Sequence, residues 1–210
     1  MYKVTILSIE NLTSDVIQIR TKKPSGFKFI PGHSIMASTT KPGLESTKRP
    51  YNFTSTNDDP YLEFMIKLYP YSLTSNTIKS MQAGDTLVLS EMFGSTRYHG
   101  PGLFLAAGIG IAPFLAIFRQ LKKDKQLQGN TLIYSNKTSK DIIHEKELRG
   151  MLGKNFLVTL TKEQHPSYHR ERIDSSLLAP FLKQYKTHYI AGPWNFIQDM
   201  KKIIAETKEK

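Results

Sequence analysis

Cysteine is absent from the 210 residues. Disulfides, thiolate metal sites, a cysteine-held iron–sulfur cluster and a cysteine nucleophile are therefore excluded within this chain. The N-terminus, MYKVTILSIE, has no basic segment leading into a long apolar run. No signal peptide is expected, and the chain is read as cytoplasmic. Negative charge is scarce: 18 Asp and Glu stand against 29 Lys and Arg, a formal charge of +11. Yet no block of five or more basic residues, no zinc pattern and no helix-turn-helix pattern occurs, which argues against nucleic acid as the partner. Repeats and low-complexity tracts are also missing. With 39% apolar and 22% charged residues, the chain has enough for a packed core, in one domain or two small ones.

One long uncharged stretch runs from Gly100 to Phe118, GPGLFLAAGIGIAPFLAIF. Its length approaches that of a membrane helix, but its glycines and prolines break it. A buried strand, a glycine turn and a helix fit better, and no membrane insertion is expected. The paired histidines also carry little. His165 and His169 flank Pro166, and His144-Glu145-Lys146-Glu147 lacks the second histidine of a zinc helix. These histidines are expected at the surface with no metal. Lys122-Lys123-Asp124-Lys125 reads as a solvated helix end.

The chain changes rhythm halfway. Residues 1–98 hold about six short strands and one small helix. In YLEFMIKLY, Leu62, Phe64, Ile66 and Leu68 alternate with Glu63, Met65, Lys67 and Tyr69. FKFI and HSIMAS are two strand-like runs around a Pro-Gly turn. An antiparallel barrel or sandwich is predicted there. Residues 99–210 alternate strand and helix, including a helix over DIIHEKELRGM and a last one with Ile197, Met200, Ile203 and Ile204 on one stripe. That alternation predicts a parallel sheet with helices on both faces, whose ligands sit at the carboxyl ends of the strands. The fold class is thus two domains, an antiparallel β-barrel followed by an α/β parallel-sheet nucleotide-binding domain.

Four short stretches carry chemistry. Arg49-Pro50-Tyr51-Asn52 joins a phosphate-clamping cation to a flat aromatic, or is an ordinary barrel strand. Gly108-Ile109-Gly110-Ile111-Ala112-Pro113 follows an apolar strand and opens a helix, where an anion is attracted and Pro113 suits the first turn. Ala191-Gly192-Pro193 repeats that placement after a later strand. Ser75-Asn76-Thr77 opens the small helix of the first half, as a phosphate site or a plain cap.

Taken in order, these stretches resemble the ferredoxin–NADP reductase superfamily over nearly the whole chain. FKFIPGH, KLYPYSLTSNTIKSMQAGDTLVLSEMFG and YSNKTSKDIIHEKEL are also similar to segments of that family. The resemblance implies an FAD-binding barrel followed by an NAD(P)-binding domain, with hydride passing from NADPH or NADH to FAD. Arg49, with Pro50 beside it, would hold the FAD pyrophosphate, Tyr51 would pack on the isoalloxazine, and Asn52 would lie near its N5. Lys67, Tyr69, Ser75, Asn76 and Thr77 would complete that site. Gly108, Gly110 and Pro113 would carry the nucleotide pyrophosphate, and Gly192 and Pro193 would border the nicotinamide. Lys137 could face a 2′-phosphate, with Arg170 and Arg172 as other candidates, and NADH against NADPH stays open.

Three positions depart from the family pattern. Asn52 replaces Ser or Thr, Ala112 replaces Thr, and Ala191 replaces Cys. No aromatic residue closes the chain. With no iron–sulfur centre of its own, the chain would pass electrons to a separate acceptor, an acidic flavodoxin or ferredoxin being the expectation from its charge. The alternative is a flavin-binding relay or regulatory module that does not itself oxidise NAD(P)H.

Overall fold

The computed structural model describes residues 1–94 and 96–208. Among these, the first half forms a six-stranded antiparallel sheet from β1 (Tyr2–Asn11), β2 (Val16–Lys22), β3 (Ser34–Thr39), β4 (Arg49–Asn52), β5 (Tyr61–Lys67) and β6 (Thr86–Phe93), with helix α1 (Leu73–Lys79) before β6. The order is β4-β3-β6-β1-β2-β5. Phe53 bridges antiparallel to Phe64, and the Thr54 N–H donates to the Glu63 carbonyl at 2.8 Å. These contacts join the two edge strands and close the sheet into a barrel, removing its exposed edges.

Aromatic residues fill the barrel. Phe29 stacks on Phe53 with ring centroids 4.1 Å apart, and Phe53 meets Phe64 at 5.2 Å. The expected strand at residues 27–30 is absent. Instead, the Asn57 side chain pairs with both backbone groups of Phe29, N–H to Oδ1 at 3.0 Å and Nδ2 to the carbonyl at 2.6 Å. That amide latch leaves Phe27 and Phe29 free to plug the core rather than extend the sheet.

The second half forms a parallel sheet in the order β10-β9-β8-β7-β11. Its strands are β7 (Leu103–Ala107), β8 (Thr131–Asn136), β9 (Phe156–Leu160), β10 (His169–Arg170) and β11 (His188–Ala191). The helices are α2 (Ile111–Lys123), α3 (Glu145–Leu152), α4 (Ser175–Gln184) and α5 (Trp194–Lys208). Strand alternation sets the layers. Phe104 and Ala106 point into the layer of α2 and α3, whereas Leu103 and Leu105 point to that of α4 and α5. Val16 and Met65 of the barrel join the α2 layer, so the barrel sits on that face. The uncharged Gly100–Phe118 stretch is β7, a short turn and the start of α2. No described helix is long and apolar enough to cross a membrane.

The structure corrects or sharpens three local expectations. The helix predicted over DIIHEKELRGM starts only at Glu145, because His144 adopts a left-handed conformation with φ 52°. β5 is buried on both faces, Glu63 included, because the second half covers the face that carries Glu63 and Met65. Lys123 is not a free helix end: its Nζ donates to Thr56 Oγ1 at 2.6 Å and pairs with Asp59 at 3.1 Å across the two halves.

Candidate functional site

The path of the parallel sheet fixes where a ligand can enter. From β7 the chain moves to β8 and β9 on one side, then returns to place β11 on the other. Adjacent connections at β7 and β11 therefore leave in opposite directions, and a crevice opens at their carboxyl ends. Gly108, just after β7, has φ 53°, and a Cβ there would meet nothing within 4 Å. The left-handed turn leaves its carbonyl to accept a 2.8 Å hydrogen bond from the Tyr134 hydroxyl.

Gly110 serves differently. A Cβ on it would lie 2.4 Å from the Ala191 carbonyl oxygen, so its bare backbone admits the end of β11. Gly192 is similarly close-fitted, with a virtual Cβ 2.9 Å from Phe196. Pro113 and Ala112 are buried in the first turn of α2, where the missing proline N–H costs nothing. Gly110, Pro113 and Gly192 shape the turn and the end of β11 at the mouth of the crevice.

The crevice is a cavity of about 840 Å³. The barrel contributes Thr13, Asp15, Lys67 and Tyr69; the sheet contributes Gly108, Ser135, Asn136, Lys137, Thr161, Arg172 and Pro193. Lys67 and Asp15 pair at 2.7 Å. Burial pushes the Asp15 carboxyl up, but the Lys67 contact outweighs it, and Lys137 adds to the pull, so the group stays below the usual carboxylate range. Of the candidate cations, Lys137 and Arg172 line the cavity, whereas Arg170 lies in a separate depression of about 250 Å³. Asn136 is 5% exposed, and its carboxamide atoms lack a well-formed hydrogen bond. The lining carries both cations, Lys67, Lys137, Arg172 and Lys202, and carboxylates, Asp15, Asp141, Asp199 and Glu206, and a volume of this size suits a dinucleotide.

Lys67 and Tyr69 line this cavity, whereas the barrel candidates Arg49 to Asn52 are not part of its lining. Arg49 and Pro50 are exposed, and Arg49 forms no ion pair among the described residues. Tyr51 is half-buried against the barrel core, and burial pushes its hydroxyl up to about 12, against the opposing pull of Arg49. Asn52 Nδ2 donates to Ser34 Oγ at 2.8 Å. An unpaired cation beside a half-buried aromatic, with exposed Tyr69 and Tyr71 on the neighbouring loop, fits the pyrophosphate and flat ring of FAD.

At α1 the structure moves the expected helix start. Ser72 is the cap, its Oγ accepting from the Ser75 N–H at 3.3 Å. The Ser75 hydroxyl is buried and accepts from the Tyr69 N–H at 3.0 Å. The open donors of the first turn are therefore the Leu73 and Thr74 N–H groups, while Asn76 is exposed and Thr77 half-buried.

A charged cluster between the halves escaped the sequence reading. Arg119 Nη1 donates to Glu63 Oε1 at 2.6 Å and to the Thr54 carbonyl at 2.8 Å. Its Nε and Nη2 fork onto Glu147 at 2.6 and 2.8 Å. His144, expected at the surface, bonds Glu147 at 3.2 Å and Gln18 of the barrel at 3.0 Å. Burial pushes the Glu63 carboxyl up, but Arg119, Arg20 and the Thr54 hydroxyl together hold it below the usual range. The only trace in the sequence is one glutamate in an alternating strand.

Comparison with known proteins agrees with this architecture. Residues 3–98 match the oxidoreductase FAD-binding domain, and residues 104–202 match the oxidoreductase NAD-binding domain. The reductase component of propane 2-monooxygenase from Rhodococcus jostii is 26% identical over 176 residues, 78% of this chain and 47% of that protein. The ferredoxin–NAD(P)+ reductase component of the naphthalene 1,2-dioxygenase system of Pseudomonas putida is 26% identical over 163 residues, 75% of this chain and 48% of that protein. The chain spans about half the length of these curated relatives. A ferredoxin NADP+ reductase from Neisseria gonorrhoeae, solved with FAD and NADP, shares the fold at a TM-score of 0.85 and 22% identity, covering 98% of this chain and 91% of that one. The chain belongs to the ferredoxin–NADP reductase superfamily of FAD- and NAD(P)-binding oxidoreductases.

Proposed function

We propose that the chain is an FAD-dependent NAD(P)H reductase that passes electrons to a separate acceptor, with residues 1–98 as the flavin domain and 99–210 as the nucleotide domain. The observation that carries this reading is the cavity at the sheet's crevice, walled by Lys67 and Tyr69 on the barrel side and by Gly108, Asn136 and Lys137 on the other. FAD, when bound, accepts a hydride from the nicotinamide and releases the electrons onward. The protein's part is to hold two flat rings together and keep water out.

In this reading Arg49 clamps the flavin pyrophosphate, Tyr51 supplies an apolar face, and the Asn52 amide sits at the reacting edge. The Leu73 and Thr74 N–H groups and Tyr69 complete the flavin site. Gly108 lets the nucleotide approach the backbone, Asn136 and Lys137 bind its polar parts, and Pro193 borders the nicotinamide.

The acceptor we propose is an acidic electron carrier, since the chain carries a formal charge of +11 and its relatives are named as reductase components of oxygenase systems. Reconstitution with FAD, followed by reduction of ferricyanide and of acidic flavodoxin or ferredoxin with NADPH and NADH, tests the assignment. Ferricyanide reduction dependent on both FAD and nucleotide supports the reductase; failure to take up FAD removes it. Carrier rates should fall as salt rises, and a salt-independent rate contradicts the acidic partner.

A further inference from the structure

Two elements connect the cavity to the buried cluster between the halves. β5 runs from Glu63 in the cluster to Lys67 at the cavity wall, about 13 Å at 3.3 Å per residue. α2 runs the opposite way, from Ile111 beside the Gly108 turn to Arg119 in the cluster, about 12 Å at 1.5 Å per residue. Between these ends, Met65 of β5 lies in the same apolar cluster as Phe114, Leu115 and Phe118 of α2. The two elements therefore border one apolar cluster, with the cavity walls at one end and Glu63–Arg119 at the other.

Arg119 and Lys123, one turn apart, both reach the barrel, Arg119 to Glu63 and Thr54, Lys123 to Asp59 and Thr56. Glu63 is fully buried, and Arg20 holds its second oxygen at 2.8 Å. Four of the five Arg119 N–H groups reach a fixed set of acceptors, the Thr54 carbonyl and Glu63 on the barrel side and both Glu147 oxygens of α3 behind. Buried ion pairs are weak sources of stability compared with apolar contacts, but their geometry is strict. Apolar packing tolerates sliding; a forked guanidinium does not.

We propose that Glu63 and Arg119 form a positioning pair that fixes the spacing between the barrel and the nucleotide domain, and through it the separation of the two walls of the cavity. The proposal rests on the reductase reading only for its consequence for electron transfer, not for the spacing itself. A small rotation about this shared apolar cluster that opens the pair would displace the walls at the other end by a similar amount. A misplacement of about 1 Å costs reacting groups on the order of 100-fold in rate.

The absence of cysteine permits a direct test on the full chain. Spin labels placed through Lys22→Cys on β2 and Lys201→Cys on α5 would report the distance between the halves, first without cofactors. The parent should give one narrow distribution. Glu63→Gln combined with Arg119→Met, which removes both charges together, should broaden or shift it while the chain still melts cooperatively. Arg119→Lys, which keeps the charge but loses the fork, should fall between the two. In FAD-loaded protein the double variant should bind nucleotide about as tightly as the parent yet be reduced on the order of 10 to 100 times more slowly. An unchanged distance distribution in the double variant, or a rate that falls only in step with loss of folded protein, overturns the proposal. Broadened distances in a chain that NAD(P)H never reduces would keep the spacing role and overturn the reductase reading instead.

Discussion

Arg119 of α2 and Glu63 of β5 meet at 2.6 Å, although 56 residues separate them in the chain and they belong to different halves of the molecule. The contact makes β5 a strand buried on both faces, and it ties the helix that follows the glycine turn to the wall of the barrel.

Removing one partner of this pair should be costly. Arg119→Met leaves the Glu63 carboxylate buried with Arg20 as its remaining cation, and a loss of about 3–5 kcal/mol is expected. Adding Glu63→Gln to it should recover part of that loss. Urea unfolding of the two single variants and the double gives the coupling; strict additivity would contradict a direct interaction.

Acid should loosen the same region. Burial pushes Glu147 up, but its hydrogen bond with Arg119 and its contact with His144 bring it down to about 2, from an ordinary 4.5. A carboxyl lowered in the folded state contributes stability that is complete above about 4.5 and lost as pH falls toward about 2. Glu147→Gln should therefore be less stable at neutral pH and show a flatter stability profile across that window. Chemical denaturation at stepped pH checks both slopes.

Two glycines in one turn should respond differently to the same methyl group. Gly108→Ala faces open space but sits at φ 53°, so about 1–2 kcal/mol is expected from backbone strain. Gly110→Ala drives a Cβ to 2.4 Å from the Ala191 carbonyl and should cost more, or displace β11. Thermal melts of the two variants rank them, and amide exchange in β11 shows where the damage goes.

Arg49 is exposed and unpaired, so Arg49→Ala should leave the cofactor-free chain within about 0.5 kcal/mol of the parent. Its loss should weaken FAD binding by roughly tenfold or more, since a hydrogen bond to a charged group is worth about 1.5–3 kcal/mol. Titration with FAD monitored by flavin fluorescence, beside a melt of the apoprotein, separates the two effects.

The legible part of this molecule was what chain-local chemistry determines. Alternation in β5, the glycine turn after β7 and the strand–helix rhythm beyond it each follow from neighbouring residues. The cavity wall was partly legible for the same reason: Lys67, Tyr69, Gly108, Lys137 and Pro193 stand at strand ends or in the turns that follow. What local pattern could not yield was pairing at a distance. Alternation places Glu63 opposite Leu62 and Phe64 but cannot say that a second domain will cover that face. His144 looked like a surface histidine because its Gln18 partner lies 126 residues away. Ser75 looked like a helix cap because Ser72, Thr74, Ser75 and Thr77 all suit that role, and only the fold shows that Ser72 takes it. Asn136 carried no signal beyond its place at the end of β8.

In the proposed function the crevice between the halves brings a bound nicotinamide against a bound flavin. Anaerobic rapid mixing of the FAD-loaded chain with one equivalent of NADPH or NADH, followed through the visible flavin absorbance, tests it most directly. Loss of that absorbance in a single turnover is expected with at least one of the two nucleotides. Flavin that binds stoichiometrically but keeps its oxidised spectrum with both would contradict that function.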